Sequence, residues 1–262
     1  MNNVDIEPHQ RFLALDTSTA SFAAAVMEGN GLLKEMNIVA ERNHSVHVIP
    51  VVQRLLQETG TTRDGLGGIA VGVGPGSYTG IRIAVSAAKT LAWTWNIPLV
   101  SVSSLHALAW GGLHQGLQQH SELSAHTHWI VPLMDARRGQ VYTALFSAEG
   151  SHMPKRLAED GIRLMVNWVE QLSDRLKSMP EDNWPAAVWV VGDIKLHTDA
   201  AEQLRSLLGN RLYILPYEME GRFVGQIGAQ KLLSGEREDV HTIEPNYTQL
   251  TEAEANLLKK KS

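Results

Sequence analysis

The chain has 262 residues, 44% of them hydrophobic and 19% charged, with a net charge of −5 and no cysteine. Its length suggests two domains, its composition excludes disorder over most of the chain, and its charge lacks the basic excess of a protein that grips nucleic acid alone. Disulfides, thiolate nucleophiles, iron–sulfur clusters and thiolate zinc sites are excluded, no apolar run is long enough to span a membrane, and the N-terminus lacks the pattern of a secretory signal, so a cytoplasmic protein is expected.

Phe12–Leu15 is an apolar run that stops at Asp16-Thr17-Ser18-Thr19, the pattern of a buried strand and a polar turn. Ala20–Met27 and Leu32–Ala40 add two strands around the turn Glu28-Gly29-Asn30-Gly31. A helix follows over Ser45–Thr59, with Pro50 kinking it or setting its start and Gly60 ending it. Gly68–Val73 reads as a strand, Thr79–Trp95 as a helix apolar on more than one face, and Pro98–Val102 as another strand.

The same order then recurs. Strands are expected over Trp129–Met134, Gln140–Phe146, Met153–Leu157, Val188–Val191 and Leu212–Leu215, and helices over Leu164–Lys177, His197–Leu208 and Arg222–Leu233. Asp16 and Asp135 each close the first strand of a unit, so the chain reads as an internal duplication. Gly111–His128, rich in Gly, Gln, His and Ser, is the candidate loop between the halves. The expected division is a domain over 1–109, a second over 110–216, a helix near 221–234 returning to the first, and a tail over 235–262.

Several groups of residues invite a chemical reading. Gly72–Arg82 carries four glycines and a proline between a strand and a helix. Its backbone N–H groups suit an anion, or its glycines suit a tight turn that brings the helix close. It is not a P-loop, because its spacing differs and Lys89 is too far along. Gly74 and Gly76 are the candidate anion contacts of this block, and Asp16-Thr17, at the end of its strand, suits an Asx turn. Asp135-Ala136-Arg137-Arg138 offers an arginine to an anion, or surface charge and a pair with Asp135. His44 and His47 have metal-ligand spacing but no evident third ligand, so no metal site is expected.

Duplicated βββαβα units resemble the ribonuclease H-like domains of the actin, sugar-kinase and Hsp70 superfamily, whose members bind ATP between the units. That resemblance implies Asp16 and Thr17, with Gly74 and Gly76, as the candidate nucleotide-binding residues, Asp16 toward magnesium or its waters. Three blocks carry a closer resemblance: Leu13–Thr19, Gly72–Arg82 and Met134–Tyr142. Together they are similar to the TsaB (YeaZ) family of tRNA threonylcarbamoyladenosine biosynthesis. That resemblance implies a non-catalytic subunit that pairs with the catalytic TsaD, is joined by the ATPase TsaE, self-pairs when alone and meets tRNA only through the complex. It implies no cofactor and no catalytic residue in this chain. TsaD resembles this sequence, but aligning Val102 puts Ser104 and Leu108 where TsaD has its metal-binding histidines. Gly192-Asp193 stands where nucleotide-binding members of the superfamily have two glycines, which weakens the alternative of an ATP-dependent enzyme using Asp16 and Asp135. A metallopeptidase is disfavoured by the missing ligands. The family's pairing mode places the partner on the two N-terminal helices, with Val48, Val52, Leu55, Arg82, Ala84, Val85 and Ala88 as the expected contacts. Gln249 and Leu250 stand where the family more often has an arginine.

Overall fold

The computed structural model describes residues 10–39 and 44–248, without the side chain of His44. The first nine residues, Ala40, and the C-terminal Gln249, Leu250 and Lys259–Lys261 lie outside the described residues.

Strands β1 (Arg11–Asp16), β2 (Ser21–Glu28) and β3 (Gly31–Val39) form an antiparallel meander. Helix α1 (His44–Glu58) leads to β4 (Leu66–Gly72), and α2 (Tyr78–Trp95) leads to β5 (Leu99–Val102). Both later strands run parallel to β1, giving the order β3-β2-β1-β4-β5. Helix α3 (Ser104–Gln119) then crosses to the second half. There β6 (Thr127–Asp135), β7 (Gln140–Glu149) and β8 (Lys155–Leu164) form the second meander. Helix α4 (Met165–Lys177), β9 (Ala187–Gly192), the short α5 (Thr198–Glu202) and α6 (Arg205–Leu208), and β10 (Leu212–Pro216) complete it. Its order, β10-β9-β6-β7-β8, is that of the first sheet counted from the other edge. The fold is therefore two tandem ribonuclease H-like units.

β1 and β4 are buried along nearly their whole lengths, which is why they read as unbroken apolar runs. The edge strand β8 is half-exposed throughout, and its polar Ala158-Glu159-Asp160-Gly161 hides a strand that extends seven residues beyond the Leu157 expected as its end. The helix expected over His197–Leu208 is divided into α5 and α6.

Gly111–Gln119 belongs to α3 and is not a loop. Glycine in a helix costs about 0.5–1 kcal/mol relative to alanine, and here it permits close approach. A Cβ on Gly112 would lie 2.5 Å from Val191, and one on Gly116 would lie 2.5 Å from Trp189. Helix α7 (Gly221–Leu233) does the same on the first sheet, with Gly225 facing Met27 and Gly228 facing Ala70. Each helix thus lies flush on one sheet, and the two touch each other. They form a shared central layer that joins Ala70 and Val100 of one sheet to Phe146 and Trp189 of the other in one core. The expected boundary at 109/110 falls inside α3. Two further cores lie on the outer faces, under α1 and α2 and under α4–α6.

After α7 the chain returns along the first unit as a strap. Glu238 N donates to Leu99 O at 2.9 Å, Lys89 Nζ to Ile243 O at 3.0 Å, and Asn246 N to Val73 O at 2.7 Å. Ile243 is buried in the α1–α2 core.

Candidate functional site

The end of β1 and the glycine block come together, but they face each other. Asp16 is fully buried. Its Oδ1 accepts from Ser18 N at 2.7 Å and Ser18 Oγ at 2.6 Å, which is the Asx turn. Its Oδ2 accepts from Ser104 Oγ at 2.6 Å, and that hydroxyl in turn accepts from Gly74 N at 3.0 Å. Thr17 Oγ1 donates to Gly80 O at 2.5 Å and accepts from Ala84 N at 3.2 Å. The glycines are the complement of this loop. A Cβ on Gly72 would lie 1.8 Å from Asp16 Oδ2, one on Gly76 2.4 Å from Ser18 O, and one on Gly80 1.9 Å from Thr17 O. The block is a close-packing device that seats α2 on the first loop.

A cleft of about 700 Å³ opens beside this junction, between Gly76–Gly80 and Leu133–Arg137. Of the four candidate nucleotide-binding residues, only Gly76 lines it; Asp16 and Thr17 are buried behind it, and Gly74 is turned toward Ser104. Asp135 reaches the cleft, where its Oδ1 lies 2.9 Å from Nε2 of the buried His197 rather than pairing with an arginine. Arg137 and Arg138 turn left-handed, φ 65° and 54°, and only Arg137 lines the cleft. The charged lining is three carboxylates, Asp135, Asp193 and Glu218, against the single guanidinium of Arg137. Burial and the neighbouring Asp193 hold Glu218 above the usual carboxylate range. An unaccompanied polyphosphate meets repulsion there.

Ser104 and Leu108 are buried at the start of α3. Ser104 is spent on Asp16 and Gly74, and Leu108 packs at Gly192, where its Cδ2 would lie 2.9 Å from an added Cβ. Gly192 has φ 109°, and Asp193 N donates to Leu133 O at 2.9 Å. Among the described residues no cluster of three or more His, Asp or Glu side chains is arranged to hold a metal ion.

Five of the seven expected partner contacts, all but Val48 and Arg82, lie away from the outward groove between the helices. Val48, Val52, Leu55, Ala84, Val85 and Ala88 are all buried in the chain's own core beneath α1 and α2. Helical spacing identifies an apolar stripe, not the side to which it turns, and the sheet claims the stronger stripe. Only Arg82 of the seven is exposed. The outward surface instead presents Val46 (61% exposed), Ile49 (46%) and Tyr78 (46%). Between the two helices runs an apolar groove of about 550 Å³, whose lining includes Ile49, Ile83, Ala87 and Leu91 together with the edge of Val48 and with Arg82. The Tyr78/Arg82/Ser86/Thr90 spacing was the legible signal for this face. Tyr247, which reaches Arg82 from 165 positions away, had none.

The fold and this junction define a protein of two tandem ribonuclease H-like units whose first-strand aspartate is committed to internal packing. Residues 37–169 match the family described as "TsaD: tRNA N6-adenosine threonylcarbamoyltransferase". The tRNA threonylcarbamoyladenosine biosynthesis protein TsaB of Bacillus subtilis is 32% identical, over 94% of this chain and 97% of its own. The tRNA N6-adenosine threonylcarbamoyltransferase of an Anaeromyxobacter species is 38% identical over 36% of this chain and 33% of its own. A Pseudomonas aeruginosa crystal structure described as similar to peptidase YeaZ superposes with a TM-score of 0.69 at 21% identity, covering 92% of this chain and all of that one. The chain belongs to the TsaB family of tRNA threonylcarbamoyladenosine biosynthesis proteins.

Proposed function

We propose that this chain is the non-catalytic subunit that pairs with TsaD, in a complex joined by TsaE, for transfer of a threonylcarbamoyl group to N6 of adenosine 37 in cytoplasmic tRNAs reading ANN codons. The observation that carries this reading is the apolar groove on the outer face of α1 and α2. An open apolar face of this kind is the mark of a protein–protein contact. The side chains near the cleft support the same reading. Ser104 and Leu108 occupy the positions that resemblance assigns to metal-binding histidines, and neither offers an imidazole. Chemistry then resides in TsaD, this chain shapes TsaD by contact, and tRNA engages the assembly rather than this chain alone.

Ile83 and Ala87 line the groove and are half-buried. Ile83→Asp and Ala87→Asp should abolish co-purification with TsaD while leaving the circular dichroism spectrum unchanged, because a carboxylate would be desolvated without a partner. In cells lacking this gene, mass spectrometry of tRNA nucleosides should find threonylcarbamoyladenosine lost, restored by the wild-type chain and not by Ile83→Asp. Co-purification and modification unaffected by both variants would refute the docking face. An ATP-dependent enzyme using Asp16 and Asp135 has less support, since Asp16 is buried in its own loop and Asp135 is held by His197.

A further inference from the structure

The docking face carries one cation whose surroundings are unusual. Arg82 Nε donates to Tyr247 Oη at 2.8 Å, and its guanidinium lies 4.1 Å from the centre of the Tyr78 ring. The two tyrosine rings are 5.5 Å apart, so the guanidinium is held at the rim of the groove by one residue of its own helix and one of the C-terminal strap. Cation–π contact and the hydroxyl fix it without neutralising it. None of the ion pairs among the described residues includes it.

Among the described residues, the two helices and the groove between them offer it no free carboxylate. Glu58 is the only acid on α1 and α2, and it is already paired with Arg54 at 2.7 Å and Lys34 at 3.2 Å. The groove lining contains Arg82 and no acidic residue. Lys89, the remaining cation on α2, donates to the strap carbonyls of His241 and Ile243. A two-fold dimer through this face would juxtapose identical surfaces. Each copy would bring an arginine to the rim, and neither helix pair would bring a free carboxylate to meet it. Like charges brought together while water is excluded oppose association, and a carboxylate in the same place favours it.

We infer that Arg82, clamped between Tyr78 and Tyr247, selects a carboxylate-bearing protein partner over a second copy of this chain. The inference rests on the reading of α1 and α2 as the docking face, and it gives the strap a role: Tyr247 positions the selecting cation. The occupant is a protein with an apolar helical surface and an Asp or Glu opposite Arg82, which on the reading above is TsaD.

The test measures two affinities for the full chain: self-association by sedimentation equilibrium, and binding to TsaD by calorimetry. Arg82→Ala should weaken TsaD binding about tenfold and strengthen self-association several-fold, and Arg82→Glu should exaggerate both changes. Tyr247→Phe, which keeps the ring and loses the hydroxyl, should shift both affinities in the same directions by less. The salt dependence of TsaD binding should shrink in Arg82→Ala, a readout that loss of packing alone would not move. The inference is overturned if Arg82→Ala weakens self-association, or leaves the ratio of the two affinities unchanged. It is also overturned if Glu244→Gln, at the exposed acid of the strap, weakens self-association as Arg82→Ala does, because the arginine would then serve the homodimer. Ile83→Asp separates the layers: if it leaves TsaD binding intact, the docking face itself is wrong. If it abolishes binding while Arg82→Ala has no effect, the face stands and the selectivity falls.

Discussion

Replacing Ser104 by alanine removes one oxygen and challenges the account of the Asp16 junction directly. Ser104 is fully buried, and its hydroxyl donates to Asp16 Oδ2 at 2.6 Å while accepting from Gly74 N at 3.0 Å. A hydrogen bond to a charged group contributes roughly 1.5–3 kcal/mol, and a buried N–H left without a partner costs roughly 1–3 kcal/mol. The two share one atom and do not simply add, so a loss of about 3 kcal/mol is expected. Ser103→Ala is the comparison. Ser103 makes the same kind of contacts in a half-buried site: it is the N-cap of α3, accepting from His106 N at 3.2 Å and donating to Asp160 Oδ2 at 2.7 Å. Water can replace part of what it loses, so its removal should cost only about 1–2 kcal/mol. Urea denaturation of the two variants and the wild type, with midpoints compared at a common slope, measures both. A loss below about 1 kcal/mol for Ser104→Ala, or one no larger than for Ser103→Ala, would refute the claim that Asp16 and the glycine block are locked through this hydroxyl.

Three further outcomes are expected. Gly228→Ala should destabilise by about 1–3 kcal/mol, because the new Cβ would lie 2.0 Å from that of Ala70, and Ala70→Gly in the same chain should recover part of the loss in a double-mutant cycle. His106 stacks on Phe146, and burial pushes its pKa down from 6.5 to about 4. The unfolded chain therefore binds a proton there that the folded chain refuses, so stability should fall by up to about 3 kcal/mol as pH drops from about 6.5 to 4. Denaturation midpoints across that window should show a shallower decline in His106→Gln, and an unchanged slope would contradict this. Ile243→Ala should cost about 2–4 kcal/mol and make limited proteolysis begin within the strap, read by mass spectrometry of the first fragments; initial cleavage elsewhere would argue against the strap's anchoring.

Much of this molecule was legible in its sequence because local rules and tertiary structure agree over it. Buried parallel strands such as β4 read as continuous apolar runs, Gly29 and Gly31 announced the first hairpin, and the repeated strand–helix order disclosed the duplication before any contact was known. The Asp16, glycine and Asp135 blocks carried the family resemblance. The remainder depended on partners distant in the chain. Gly112 and Gly116 looked like loop residues because only Val191 and Trp189, more than 70 positions away, explain them. Val48, Val52, Leu55, Ala84, Val85 and Ala88 were readable as apolar but not as inward, since periodicity defines a stripe and the sheet decides which stripe it takes. Tyr247 closes on Arg82 only because the strap runs back over α2. The sequence by itself determined the repeated architecture and the family, both carried by short-range patterns. Only the tertiary structure decided what Asp16 does and which face of α1 and α2 is open, because a buried carboxylate and an outward helix face are each defined by what packs against them.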